Sequence, residues 1–464
     1  MKNRILTLAA ALLLAGATVI GLSACNDNAT ETETDTETVT ETETETETSV
    51  ETETETETVT ETETETETET ETETETQWVP GVQKSDLNDL MQSIFEGNTV
   101  RNETVMFIDK GDVKSLLYPI KEVQSVTSYD GTRTYQAGVD YEIVDGKLKV
   151  LAGSSIPCIG SSTYYNFNNS ASTGILLTQN GKNIYWGEGT IQSYQVSVTY
   201  THESTWEGYA QESQLAVYED FLKKLEAGED VTVVFYGDSI THGASSSWLA
   251  GKQPYQLPYT ILFTEALADL FDYTVKFVDY SSTLQGAPRV PAQDYEAGNR
   301  GTITYVNTAV GGWSTNDGLN NAPTYLYEPV TRHGCDLLVV ALGMNDGTSN
   351  NSVAIQQIVN NVTIIDPGAS AVIVSTMVPH PGTNWDGQQK DQERYLLSTA
   401  ERLIKNGKNV AVACMTSVSK ALYEPNRKTF NDVTGNNINH PNDFLCRVYA
   451  QTLLQTVIGY ENMQ

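Results

Sequence analysis

The rhythm of hydrophobic positions changes three times along the chain. One largely apolar run, rich in Ala and Leu, extends from Ile5 to Leu22. From Thr30 to Thr76 apolar residues almost vanish, and Thr alternates with Glu, interrupted only by Asp35, Val39, Ser49, Val50 and Val59. Between Trp78 and Glu203 short runs alternate apolar with polar residues: Thr104–Ile108, Val123–Val126, Tyr141–Val144, Lys147–Val150 and Tyr194–Tyr200. Period two predicts strands with one buried face, and Asp130-Gly131, Asp145-Gly146 and Asn180-Gly181 between such runs predict tight turns. The expected architecture there is a β-sandwich. From Val231 onward, Val231–Tyr236, Thr274–Val278, Ile303–Val306, Leu337–Leu342, Ala371–Ser375 and Asn409–Ala413 read as strands, several apolar on both faces. Helical segments lie near Tyr259–Phe271, Ser352–Ile364, Gln388–Lys405 and Asp443–Ile458. Buried strands alternating with helices predict an α/β fold, a three-layer α/β/α parallel sheet covered on both faces and following the β-sandwich. The expected organisation is a leader over residues 1–24, a spacer over 25–77, a β-sandwich accessory domain over 78–205 and an α/β domain over 206–464.

The Thr-Glu segment has no apolar face, so neither strand nor helix there buries anything. Glu at every second position would also stack like charges across paired strands. A self-repelling, extended chain is expected, reaching from roughly 40 Å coiled to roughly 150 Å stretched.

Ahead of it, Lys2 and Arg4 precede the apolar run, which ends in Leu22-Ser23-Ala24-Cys25. Small residues before a cysteine resemble the lipobox of bacterial lipoproteins. The resemblance implies an export signal cleaved before Cys25, acylation of that residue, and an extracellular protein lipid-anchored to the outer face of a bacterial cell membrane. The membrane is then a partner only through Cys25.

Charge narrows the partners. The chain has 27 Lys+Arg against 61 Asp+Glu, a net charge of −34. The Thr-Glu segment supplies 20 of the acidic residues, and the remainder is still acidic at −14. With no basic cluster to neutralise phosphates, nucleic acid is excluded as the main partner. Cys158, Cys335, Cys414 and Cys446 show no CxxC spacing, and they read as free thiols packed like small hydrophobes.

Candidate chemistry gathers where the rule for open α/β sheets places ligands, beyond the carboxyl ends of the strands. The first of the later strands ends in Gly237-Asp238-Ser239, the third in Asn307-Thr-Ala-Val-Gly311-Gly312-Trp313, and the fourth in Gly343-Met344-Asn345-Asp346. Asn437-Ile-Asn-His440-Pro441 stands just before the last helix. Each piece alone is an ordinary turn. Together, in this order on one sheet edge, they resemble the SGNH (GDSL-type) hydrolase superfamily over roughly Val231 to Gly459.

That resemblance implies a flavodoxin-like three-layer α/β/α sheet and a serine esterase without cofactor or metal. Carried over by motif, Ser239 is the nucleophile, His440 the general base, and the Ser239 N–H, the Gly312 N–H and the Asn345 amide are the oxyanion donors. Ala309 replaces the first glycine of its block, which leaves Gly311 as the alternative to Gly312. A serine hydroxyl needs a neighbouring imidazole to take its proton, and fixed neutral donors stabilise the negative oxygen of the tetrahedral intermediate. His242 and His380 are weighed as rival bases and set behind His440. The family pattern has Asp three residues before the histidine, where this chain has Asn437. Asn437 as a neutral acceptor, Asp432, Asp443 or a backbone carbonyl are the alternatives for orienting the imidazole, a Ser-His dyad with Asn437 being preferred.

The expected substrate is an acylated carbohydrate, with removal of O-acetyl groups from a polysaccharide. Trp248, Trp313 and Trp385 could stack on sugar rings at the active edge, although loop packing serves them equally well, and Tyr164, Tyr165, Tyr185 and Trp186 could do so on the β-sandwich, where aromatics are more often core. A lipase or lysophospholipase, or an inactive surface carbohydrate-binding protein, are the alternatives. Oligomeric state is left open.

Overall fold

The alternating runs of the first part form antiparallel sheets in the computed structural model, which describes residues 90–165, 178–179, 181–290, 298–347, 352–381, 383, 391–424 and 427–459. The strands are β1 (Thr99–Met106), β2 (Val113–Lys114), β3 (Glu122–Ser128), β4 (Tyr141–Val144), β5 (Lys147–Val150), β6 (Thr178–Gln179), β7 (Lys182–Asn183) and β8 (Gln195–Thr201). They pair as β1-β8-β3, as β2-β5-β4 and as the hairpin β6-β7. At the β4–β5 turn Asp145 (φ 51°) and Gly146 (φ 71°) are both left-handed, as the two-residue hairpin signal requires. Leu148 and Val150 of β5 share a core with Val105, Val126 and Val198 of the other sheet, so the apolar faces of the two sheets are buried together. The leader, Cys25, the Thr-Glu segment and Trp385 lie outside the described residues.

Downstream, β9 (Val231–Gly237), β10 (Thr274–Val278), β11 (Thr302–Asn307), β12 (Leu337–Ala341), β13 (Ser370–Val374) and β14 (Val410–Ala413) form one parallel sheet in the order β10-β11-β9-β12-β13-β14. Side chains alternate across it, and both faces are covered. Val233 and Phe235 of β9, with Val339 of β12, join a core containing the helices Tyr259–Phe271 and Asp443–Ile458. Val234 and Tyr236, with Val340, face the helices Ser352–Ile365 and Gln392–Lys405. This is the three-layer α/β/α sheet.

The first of these cores does not stop at the parallel sheet. It also takes in Val105, Val196 and Tyr200 of the antiparallel part, and all described residues fall within one compact unit, Thr76–Gln464. A wholly buried ion pair crosses between the two parts: Lys428 Nζ lies 2.6 Å from Glu103 Oε1 of β1 and donates to Thr104 O at 2.7 Å. Glu103 also accepts from Leu117 N at 2.9 Å and Tyr200 Oη at 2.7 Å, so its carboxylate is well satisfied despite burial. Cys158, Cys335, Cys414 and Cys446 are free, and burial pushes all four thiols up, that of Cys414 to about 11.

Candidate active site

β9 lies between β11 and β12, so the turns after these three strands emerge side by side where the strand order reverses. Gly237 ends β9 because a methyl group there would collide with Thr241 and with the carbonyl of Ala341 on β12. The buried Asp238 then caps the helix Ser239–His242, accepting the Ile240 N–H at 3.0 Å and also that of Met344. One carboxylate therefore ties the Ser239 turn to the turn carrying Asn345. Burial pushes Asp238 up to about 7, against the pull of the Ile240 N–H, of His440 and of the Met344 N–H, with Asp346 adding to the rise.

The turn after β11 closes on the other side. Gly311 lies against the nucleophile turn, a Cβ built on it standing 3.8 Å from Ser239 Cβ. Gly312 is left-handed (φ 82°), a conformation that suits glycine and exposes its N–H. Among the described residues neither the Gly312 nor the Ser239 N–H has an acceptor. The Asn345 amide donates to Trp313 O at 3.1 Å, which fixes its plane beside them.

His440 arrives from the loop before the last helix. Its Nε2 is 2.9 Å from Ser239 Oγ. The loop is shaped by Asn436, whose Oδ1 accepts the N–H groups of Ile438, Asn439 and His440 at 2.9, 3.0 and 3.1 Å. Asn442 caps the helix Asp443–Ile458 directly afterwards, accepting from Leu445 N at 3.2 Å.

None of the residues weighed to orient His440 touches it. Asn437, left-handed at φ 62°, gives its amide to Tyr164 Oη (3.0 Å) and Tyr185 O (2.7 Å). Asp432 accepts from Met106 N at 2.8 Å and from Thr429. Asp443 accepts from Ser247 N at 2.8 Å. The preferred dyad with Asn437 is therefore corrected: the His440 ring is already bonded on its second nitrogen, Nδ1 lying 2.7 Å from Glu188 Oε2. Glu188 belongs to the loop between β7 and β8 in the antiparallel part. Burial pushes its carboxyl up, but the hydrogen bond and charge of His440, followed by hydrogen bonds from Ser245 and Asn436, outweigh that and hold it below the usual range. No sequence motif marks Glu188. Its only local signal is a glycine on each side, as in any surface turn.

The rival histidines stand apart. His242 is half-buried, and burial with the neighbouring His440 pushes its imidazole down. His380 is buried, bonded through Nδ1 to Pro381 O at 2.5 Å, with its ring on Phe430. Trp248 is buried in the core rather than presented to a ligand, and so is Tyr164. Trp313 stays partly accessible beside Asn345, with Tyr236 and Tyr325 edge-on to its ring.

Residues 233–459 match the GDSL-like Lipase/Acylhydrolase family. The GDSL-like match begins within β9 and ends at the close of the last helix, so it contains Ser239, Gly312, Asn345 and His440 but not Glu188. No curated protein matches the chain. Among solved structures it resembles a two-domain esterase active on acetylated mannans (17% identity, TM-score 0.37), over 53% of this chain and 53% of that one. The chain thus spans about half the length of that esterase. It also resembles a family 3 carbohydrate esterase of Clostridium thermocellum (13% identity, TM-score 0.33), over 50% of this chain and 98% of that one. The acetylxylan esterase Axe2 of Geobacillus stearothermophilus is similar at 14% identity and TM-score 0.31, over 50% of this chain and 95% of that one.

Proposed function

We propose that the protein is a serine esterase that removes O-acetyl groups from a polysaccharide. The observation that carries the reading is the 2.9 Å contact between Ser239 Oγ and His440 Nε2 at the carboxyl edge of the parallel sheet. In the proposed cycle His440 takes the Ser239 proton as Oγ attacks the acyl carbon, and the imidazolium returns that proton to the departing sugar oxygen. Water then attacks the acyl-enzyme with the same help from His440 and releases the acid. The Ser239 and Gly312 N–H groups and the Asn345 amide stabilise the negative oxygen of each tetrahedral intermediate.

A carbohydrate ester suits the proposed export signal, the long acidic spacer, the antiparallel part joined to the α/β part, and a partly accessible Trp313 next to Asn345. Acetate release from acetylated xylan, mannan and peptidoglycan, run beside a long-chain acyl glycerol, tests the substrate class. Release only from the lipid would make the enzyme a lipase. The proposed setting is the outer face of the cell membrane, with the lipid on Cys25. Wild type should partition into detergent and Cys25→Ser into the aqueous phase, and equal partitioning would reject the anchor.

A further inference from the structure

We propose that Glu188, supplied by the antiparallel part of the chain, is the acid that orients His440 and stabilises its imidazolium form, the task that Asn437 leaves undone. The inference rests on the serine-esterase reading. With Nε2 on Ser239 at 2.9 Å and Nδ1 on Glu188 at 2.7 Å, one tautomer satisfies both contacts: Nδ1–H donates to the carboxylate and Nε2 faces the hydroxyl.

The carboxylate is held as firmly as the imidazole. Ser245 Oγ donates to Oε1, and Asn436 Nδ2 lies 3.4 Å from Oε2. These partners come from the loop after the nucleophile and the loop before the histidine, so Glu188 bridges both halves of the site. Ser245 occupies the left-handed region (φ 65°), which a non-glycine residue enters at a cost. Gly435 lies so close that a methyl group there would strike the Ser245 side chain. The backbone on both sides of Glu188 is also tied down: Gly187 N donates to Asn436 O at 3.3 Å, and Gly189 O accepts from Lys252 Nζ at 2.9 Å. Gln192 Nε2 reaches Ser245 O at 2.7 Å.

The other acids weighed are engaged elsewhere: Asp432 with Met106 N, Thr429 and Lys114, and Asp443 with Ser247 N. One edge of the Glu188 side chain stays open to solvent, and its direct bond to Nδ1 carries its influence on the ring. When Ser239 Oγ bonds to the acyl carbon, its proton moves to Nε2 and the Nδ1 proton stays on the ring, facing Glu188. No proton passes to Glu188, which makes it a positioning residue. A GDSL-like domain thereby takes one member of its triad from outside its own sequence span.

The test uses full-chain variants Glu188→Gln, Glu188→Asp and Ser245→Ala with p-nitrophenyl acetate. Glu188→Gln should lower kcat by about 10³–10⁴-fold with KM little changed, the scale of losing the triad carboxylate. Glu188→Asp should recover part of that loss, and Ser245→Ala, which loosens the carboxylate, should cost about 10-fold. A far-downfield imidazole N–H proton resonance should be present in wild type and Glu188→Asp and absent in Glu188→Gln, which a purely structural role would not produce. If Glu188→Gln keeps kcat within about 10-fold of wild type and retains the resonance, the assignment is overturned while the esterase reading stands. If wild type neither turns over the ester nor is acylated on Ser239, it is the esterase reading that fails.

Discussion

Glu188 and His440 stand 252 positions apart in the chain, and their side chains meet at 2.7 Å. The contact joins an antiparallel loop to the loop that delivers the base, so the antiparallel part of the chain reaches into the site. It also explains why Asn at position 437 is compatible with an intact Ser–His pair.

Ser239→Ala should abolish ester hydrolysis while leaving the melting temperature near that of wild type, since only a hydroxyl at the edge of the sheet is lost. Asn345→Ala should lower kcat by roughly 10²–10³-fold, the usual cost of one oxyanion donor. Near-normal turnover in Asn345→Ala would remove that residue from the oxyanion hole.

Asn437→Asp, which places the residue of the SGNH pattern at this position, should harm the protein. The Asn437 amide donates to Tyr185 O and Tyr164 Oη in a buried site. A carboxylate cannot donate to a carbonyl, and the loss should be about 1–3 kcal/mol of stability with lower activity. Thermal melts and kcat of the variant decide this. Equal stability with raised activity would return position 437 to the orienting role.

Why Asn437 misleads the reader of the sequence is a matter of distance. The strands were legible because Val231–Gly237 or Leu337–Ala341 bury both faces, and the four site turns because each abuts such a strand or the last helix. Spacing within a motif reports on neighbours along the chain. Glu188 lies in a loop with no hydrophobic period, and only the packing of Ser245, Asn436 and Gly435 brings it to the imidazole. Trp248 departs from its expectation for a related reason: it sits in a loop, yet the loop folds inward and buries it.

Asp443→Asn should leave activity within a few-fold of wild type and stabilise the protein in a pH-dependent way. Burial pushes the Asp443 carboxyl from 3.8 up to about 6, against hydrogen bonds from Ser247 and Tyr129 and the charge of Arg447. Its raised value means that the folded protein holds this proton more tightly than the unfolded chain. Wild-type stability from this group therefore falls as pH rises from about 4 to about 6 and is level above. Asn cannot ionise. Its advantage in melting temperature should be small at pH 4 and largest above pH 6. A constant difference across that range would contradict the burial of a titrating carboxyl.

Lys428→Met should cost about 3–5 kcal/mol, because it strands the Glu103 carboxylate in the interior. Replacing both, as Lys428→Met with Glu103→Leu, should recover much of that loss. Denaturant midpoints for the single and double variants measure it, and additive losses would mean that the pair is not coupled.

The most direct test of the account is rapid-quench mass spectrometry of the enzyme mixed with p-nitrophenyl acetate. Attack by Ser239, driven by His440, requires an acetyl group on the peptide containing Ser239 during turnover, absent in Ser239→Ala. Turnover that leaves Ser239 unmodified, or an acetyl group that accumulates on another residue, would contradict it.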